Sequence, residues 1–381
     1  MRSTVHSMSS LLASLLVAVA LAGCSSSPSS PDAPTDSGVP DTTTDVGTDS
    51  ADAQDSAPAD TAFNGLLSKT TLYSDFTSRT IAADAIAFEP AYALWTDGAK
   101  KRRWVQLPPG TKIDTSDMDN WKFPIGTRFW KEFATPDGKL LETRLIQRES
   151  ENGYRFGAYV WRADASDAEY TEKGALDING TDHDVPTLGQ CQACHSAAPG
   201  RINGFQAIQL SKPAPGTNLD WLVAQKLLSD PPAAGAVLAI PGDAVAQAAL
   251  GTLHANCGHC HNSNWELFST TNQVLRLESG ATKVEDTTIY KSTVWQKTGS
   301  FKAVPYRIVP GDSTQSAVSL RMSKRGDPAQ MPPLGTKHVD DVGLAAVRAW
   351  IDSLPKTDPP GDAGVDAADA AGDAPSDASA D

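Results

Sequence analysis

The alternation of apolar and polar residues predicts β-strands in the first half of the folded region, from Phe63 to about Glu172. Three short runs rich in aromatic and β-branched residues are separated by two turn sequences that favour hairpins. The runs are 129–133, 140–147 and 154–161, and the turns are Pro136-Asp137-Gly138 and Asn152-Gly153. We therefore predict an antiparallel meander of at least three strands.

Large aromatic side chains are frequent in the same region, and we assign them to a core because their apolar area favours burial. They are Trp95, Trp104, Trp121, Phe123, Phe129, Trp130 and Phe133. Four consecutive cationic residues, 100–103, are interpreted as the solvated end of a strand. Docking of an acidic partner is the alternative interpretation of this run.

From residue 218 onward the apolar residues recur at helical spacing. One helix follows Asn218, a residue that favours the N-cap position. A second helix runs from Asp243 directly into Cys257, and the last begins near Asp340 and ends before Pro355.

The length of 381 residues suggests two domains. We predict the α+β class, with a β-rich domain over 63–217 and a mainly helical domain over 218–356. The formal charge of −14 comes from two Asp-rich tails, 25–62 and 357–381, which we expect to be disordered because they have little apolar surface to bury. The folded part is formally neutral, which argues against nucleic-acid binding. The composition also excludes collagen, coiled coils and polytopic membrane proteins.

The N-terminal segment 1–24 has the features of an export signal. Its apolar run from Leu11 to Ala22 is too short to span a bilayer but fits a secretory signal. The run ends in Leu21-Ala22-Gly23-Cys24, which resembles the bacterial lipobox, whose cysteine becomes the lipidated first residue of the mature protein. We therefore predict a protein anchored in the cell envelope through Cys24, at the outer membrane or the periplasmic face. The alternative is a cleaved signal with an incidental cysteine.

The other four cysteines form two C-x-x-C-H motifs, 191–195 and 257–261. This spacing is that of c-type haem attachment, because two thiols one helical turn apart can each add to a porphyrin vinyl group. The next residue then offers its imidazole to the iron. The motifs predict two covalently bound haems, held by Cys191, Cys194, Cys257 and Cys260, with His195 and His261 as proximal ligands.

Zinc binding and disulfide formation are the alternatives for these cysteines. Zinc ribbons space their cysteine pairs by about 15–20 residues, whereas 62 residues separate Cys194 from Cys257. Export permits disulfides. Neither alternative explains why a histidine follows each second cysteine.

The second motif resembles the class I cytochrome c domain, in which a helix, the C-x-x-C-H sequence, a methionine loop and a C-terminal helix follow one another. Met331-Pro332-Pro333 supplies the loop, so the resemblance implies that His261 and Met331 are the axial ligands of this haem. Met322 is the competing candidate for the methionine ligand, but it lies in a predicted helix, 316–323, where a core position is favoured. The long interval from His261 to Met331 implies a β-rich insertion near 267–310.

The distal ligand of the first haem is less evident. His183, eight residues before Cys191, is our first candidate. Met118, His254 and an open sixth position are the alternatives. We expect His259 and His338 to be solvated.

The resemblance extends to a family of exported di-haem c-type cytochromes and spans roughly residues 63–356. It is carried by the segments 129–133, 142–145, 159–161, 183–186, 254–262, 310–312 and 331–335. The family has no assigned reaction, so the resemblance implies haem content and location. We infer from these an electron carrier that exchanges electrons with unidentified redox proteins.

Two further functions stay open. A di-haem peroxidase also carries two C-x-x-C-H motifs, but we expect them further apart than here, where Cys257 is the 66th residue after Cys191. The other open function is that of a surface lipoprotein that uses haem only as a structural element. For the electron carrier, His/Met ligation raises the reduction potential over bis-His, so electrons would pass from the first haem to the second.

Overall fold

The structure is a computed structural model that describes residues 61–211, 216–299 and 301–360. All of these residues belong to one compact unit. The predicted signal 1–24 with Cys24 lies outside the described residues, as does most of the predicted linker 25–62 and tail 357–381. Across the described ranges, no helix has the length and apolarity needed to cross a membrane.

A six-stranded antiparallel sheet forms the β-rich part, and its strand order follows the chain from β3 to β8. A two-stranded ribbon, β1–β2, precedes it. The strands are β1 Tyr73–Asp75, β2 Thr80–Ile81, β3 Ala85–Ala87, β4 Lys100–Gln106, β5 Arg128–Ala134, β6 Leu140–Arg148, β7 Tyr154–Trp161 and β8 Ala168–Thr171. The predicted meander is confirmed as β5–β7, with both turn sequences between strands.

Apolar clusters cover both faces of the sheet. Side chains of directly paired residues point to the same side, so the pairs show which residues share a face. On one face Trp104 pairs with Trp130, which pairs with Leu145, and these three belong to one buried cluster. On the other face Val105 and Phe129 pack against residues that follow the sheet. The predicted aromatic core is confirmed except at Trp95, which is only half-buried.

The helices of the described residues are short except for α4 and α8. Their bounds are α1 Leu188–Ser196, α2 Ala207–Leu210, α3 Leu219–Ala224, α4 Ala244–Asn256, α5 Leu267–Thr271, α6 Thr288–Thr293, α7 Ala317–Met322 and α8 Asp341–Ser353. The helix predicted at 316–323 is confirmed as α7. The other three predicted helices are confirmed as α3, α4 and α8. Each begins at the predicted cap, where Asn218, Asp243 or Asp340 accepts a hydrogen bond from a backbone N–H.

Helices α4 and α8 pack together in a single apolar cluster. Leu250 and Leu253 of α4 share it with Val347 and Trp350 of α8. The close approach is visible at Gly343, where an added Cβ would lie 2.9 Å from Thr252 Cγ2. The contact between the helix before the second motif and the last helix, which the resemblance implies, is therefore present; the cytochrome c fold itself stays a prediction.

The predicted β-rich insertion near 267–310 is wrong. The described part of this segment contains α5 and α6 and only isolated β-bridges, such as Val294 to Ile308. The hydroxyl of Thr287 accepts a hydrogen bond from the N–H of Tyr290 and starts α6. A local cap thus outweighs the strand preference of the Thr-rich and β-branched residues.

Two predicted boundaries fall within the described residues, the end of the linker at residue 62 and the domain division at 217–218. Ala62, the last residue of the predicted linker, is buried in the cluster of Phe63 and Trp130, and the linker 25–62 as a whole stays a prediction. The division at 217–218 stays a prediction. Residues from both sides of it interact closely, since the N–H of Trp95 donates to Asn256 Oδ1 at 2.6 Å.

Candidate functional site

A cavity of about 610 Å³ brings together residues of the sheet, of α1 and α4 and of the segment before α8. This volume lies in the range of small-molecule and cofactor sites. Five predicted site residues line it: Cys191, Cys194, His195, His183 and Met331. The second motif contributes His259 to the lining, whereas His261 does not line this cavity.

Helix α1 presents the first motif. It begins with a capping box in which Thr187 Oγ1 accepts from the N–H of Gln190 at 3.2 Å, and Gln190 Oε1 accepts from the N–H of Thr187 at 2.9 Å. No residue of this helix is more than partly covered at its surface, so the capping box contributes to its local stability. Cys191 and Cys194, three positions apart, lie on one face of this helix.

His195 is held in the form that a metal ligand needs. Its Nδ1 lies 2.8 Å from the carbonyl oxygen of Arg201, to which it donates, so that Nε2 keeps its lone pair. Burial lowers the pKa of His195 to about 3, although the hydrogen bond to Arg201 acts in the opposite direction. The imidazole is therefore neutral at pH 7.

His183 is buried next to an acidic side chain. Its Nε2 lies 2.8 Å from Oε1 of Glu142, and its ring packs near Phe133. A histidine whose one nitrogen donates to a carboxylate offers the other as a ligand. Nδ1 is therefore the ring nitrogen of His183 that does not face Glu142, and His183 as a ligand stays a prediction.

The second motif forms a tight turn at the end of α4. The N–H of His261 donates to the carbonyl of Cys257 at 2.8 Å, and a Cβ at Gly258 would lie 2.7 Å from the carbonyl oxygen of His254. Burial lowers the pKa of His261 to about 4. Its Nδ1 is buried and has no hydrogen-bond partner among the described residues.

The two motifs touch each other. The side chain of Cys194 lies next to those of Cys260 and His259. Cys260, aided by His259, lowers the pKa of the Cys194 thiol although burial opposes this. All four described cysteines are free thiols, and within the described residues no group of three or more His, Cys, Asp and Glu side chains is placed to hold a metal ion.

Of the remaining ligand candidates, His254 and Met118 do not line the cavity. His254 has both ring nitrogens engaged, Nδ1 with the N–H of Leu277 at 2.9 Å and Nε2 with Gln206 at 2.5 Å. Met118 packs against an apolar core cluster. Met322 is buried with α4 and α8, as predicted for a core residue, and also reaches the cavity wall.

The expectation that His259 is solvated is wrong, because it lines the cavity and contacts Cys194. Its buried Nδ1 has no partner among the described residues. His338 is exposed as expected and contacts Asp182 at 2.5 Å. The sequence signal for His259 was its position inside the motif, where neighbouring residues share the same surroundings.

The cationic run 100–103 is also different from the predicted solvated strand end. Lys100 is exposed, but Arg103 is only 7% exposed and lines the cavity. Alternate side chains of a strand point to opposite faces. The run therefore divides, and Arg103 joins Lys131 and Arg144 in the cavity wall.

Comparison with known proteins found no match: no protein-family model, no curated protein and no solved structure is significantly similar to this chain. The resemblance to exported di-haem cytochromes thus stays a prediction. The residues present nevertheless fit covalently attached haem. Four free thiols and the imidazoles of His195 and His261 are the types of donor that such a group requires.

Proposed function

We propose that this protein is an exported, lipid-anchored c-type cytochrome that binds two haems covalently and transfers electrons between redox proteins. The observation that carries the proposal is the meeting of two C-x-x-C-H motifs, through Cys194 and Cys260, beside one large cavity. A bound haem supplies one-electron chemistry. The fold supplies the thiols, the imidazoles and an enclosure for the group.

The chain's residues have separate tasks in this proposal. Cys191 and Cys194 form one pair of thioether bonds, and Cys257 and Cys260 form the other. The carbonyl of Arg201 fixes the orientation of His195 toward the cavity. Because the motifs are in contact, an electron that enters at one of them is already close to the other.

Met331 and His183 are the proposed distal ligands. The resemblance assigns Met331 to the motif of His261, and the structure adds that Met331 lines the cavity containing His195. Spectra of Met331→Ala, recorded in chains that keep only one intact motif, will show which haem loses a sulfur ligand. The same comparison for His183→Ala tests its Nδ1 as a ligand.

The location in the cell envelope is proposed from the signal sequence. Lipidation of Cys24 would place the folded part beside the membrane, with the acidic segment that follows as a tether. In an export-competent host, Cys24→Ser should move the protein from the membrane fraction to the soluble fraction without changing its haem content.

The main experiment measures haem per chain after expression with a haem-maturation system. The expected ratio is two, with a reduced-minus-oxidised spectrum of c-type haem. Serine replacement of Cys191 and Cys194 together, or of Cys257 and Cys260 together, should lower the ratio to one. Cys24→Ser is the matched control because it removes a cysteine outside both motifs. Colourless protein, or a mass without added porphyrin, would contradict the proposal, and rapid turnover of peroxide would favour the peroxidase alternative.

A further inference from the structure

A row of three cationic side chains crosses the centre of the sheet face that meets the cavity. Arg103 of β4 is paired directly with Lys131 of β5, and Lys131 is paired directly with Arg144 of β6. All three line the cavity. Directly opposed like charges on neighbouring strands are destabilising, so this arrangement costs the fold free energy unless an anion offsets it.

The chain provides only part of the negative charge that would offset these three cations. Arg144 binds Glu142 through Nε and Nη2. No other ion pair or side-chain hydrogen bond of the described residues involves Arg103 or Lys131, although Lys131 Nζ lies 4.9 Å from the centre of the Phe133 ring. Arg103 is more than nine-tenths buried, and a buried charge without a partner is costly.

The carboxylates that line the cavity form hydrogen bonds with residues outside the row of three cations. Asp97 accepts hydrogen bonds from residues 336–338, Asp184 accepts from Lys337, and Asp340 caps α8. Burial, together with the charges of Arg103 and Arg144, lowers the pKa of Lys131. Glu89 acts electrostatically on Arg103, and Glu142 on Lys131, so the positive charge of the row is partly offset. Arg103 is buried and the other two are half-buried, and among the described residues Glu142 is the one carboxylate bound directly to these three cations, which leaves an excess of positive charge.

The row lies beside the first motif. The guanidinium of Arg144 interacts electrostatically with Cys191 and Cys194, and the ammonium of Lys131 does so with His195. A porphyrin attached to these cysteines carries two propionate carboxylates on its rim. Arginine binds carboxylates with well-directed hydrogen bonds, and lysine adds a compact positive charge.

We propose that Arg103, Lys131 and Arg144 form a carboxylate-binding site that holds the propionates of the haem attached to Cys191 and Cys194. The inference rests on the proposed function, because it requires that haem. It assigns the row as positioning residues that fix the orientation of the porphyrin. A free dicarboxylate has the same binding chemistry, and the experiment separates the two sources.

The test uses the mature, haem-loaded chain. We compare the propionate bending band of the resonance Raman spectrum in wild type, Arg103→Gln and Lys131→Met. Lys100→Met is the matched control, since Lys100 is an exposed cation of the same sheet that does not line the cavity. Haem per chain is measured for each variant, and succinate binding to wild type and Lys131→Met is followed by calorimetry. Lys131→Arg, which keeps the charge, guards against misfolding.

The expected result is a shifted band in Arg103→Gln and Lys131→Met, a wild-type band in Lys100→Met and Lys131→Arg, and two haems per chain throughout. An unmoved band at full haem content overturns this inference and leaves the proposed function intact. Succinate binding that Lys131→Met abolishes while the band stays unmoved assigns the row to a free carboxylate and also overturns it. Absence of haem from the wild type defeats the proposed function itself.

Discussion

Glu142→Gln should strongly destabilise the protein, because it removes the negative charge from a buried ionic cluster. Glu142 is completely buried, and its two oxygens accept from Arg144 at 2.9 and 2.5 Å and contact His183 Nε2 at 2.8 Å. Burial raises the pKa of Glu142, but Arg144 and His183 outweigh this and lower it below its usual value. The carboxylate is therefore ionised in the folded protein at neutral pH.

The magnitude follows from what the substitution leaves behind. Removing one partner of a buried ion pair costs about 3–5 kcal/mol, because the other charge stays buried without compensation. The side chain of Arg144 is still 26% exposed, which gives its charge some access to water and favours the low end, about 3 kcal/mol. The neighbouring cations Lys131 and Arg103 increase the penalty, since Glu142 partly offsets their charge.

The assay is urea unfolding followed by far-ultraviolet circular dichroism at pH 7. Glu149→Gln is the matched control, because Glu149 pairs with Arg155 at 3.6 Å while both side chains are more than 40% exposed. An exposed pair of this kind contributes about 0–1 kcal/mol. Equal free energies of unfolding for the two variants would refute the argument that burial makes Glu142 important.

Three further predictions concern helices and pH. Gly251→Ala should destabilise the protein by about 1–3 kcal/mol through overpacking, since the new Cβ would overlap the ring of Tyr92. Gly189→Ala, whose new Cβ would make only an ordinary contact of 3.9 Å with Thr187 Oγ1, should stabilise it by up to about 1 kcal/mol. Thr187→Ala removes the capping box and should cost about 1 kcal/mol, with faster amide exchange in α1. Burial lowers the pKa of His254 to about 3, with Arg276 adding to the effect. Its stabilising contribution is therefore complete above the unfolded value of about 6.5 and is lost as the pH falls toward about 3, and His254→Gln should flatten that dependence in urea titrations.

Each of these predictions has a contrary outcome. Stabilisation by Gly251→Ala would mean that helix propensity outweighs the contact with Tyr92. Unchanged exchange in α1 after Thr187→Ala would show that the cap does not hold the helix. An equally steep acid dependence in His254→Gln would place the titrating group elsewhere.

The strands and long helices could be predicted because their apolar periods are strong and their ends carry recognisable turns and caps. The runs that became β5–β7 alternate clearly, and Asp243 and Asp340 mark the starts of α4 and α8. The segment 267–310 has no strong period, and the β-rich insertion was predicted from the length of the interval between His261 and Met331. Hydrogen bonds at helix caps determine the structure of this segment instead. Such local hydrogen bonds are hard to weigh against composition in a single sequence.

The site was predictable only where chemistry depends on residues adjacent in the chain. The spacing of each C-x-x-C-H motif identifies its cysteines and histidine without knowledge of the fold. The contact of Cys194 with Cys260 could not be derived, because 65 positions separate them and only tertiary structure joins them. The row of Arg103, Lys131 and Arg144 likewise depends on the register of three strands, and a one-residue shift in any strand would disperse it.

The formal neutrality of the folded region conceals this uneven distribution of charge. Glu132, which follows Lys131 and therefore points to the opposite face, binds Arg102 there. Alternation along β5 thus separates a paired acid from an unpaired base by a single residue. A count of charges cannot distinguish the two, whereas strand geometry shows that the cavity face keeps an excess of positive charge. That excess of positive charge destabilises the fold unless an anion offsets it. Under our proposal the haem propionates supply this anion, so the same side chains would stabilise the haem-bound chain.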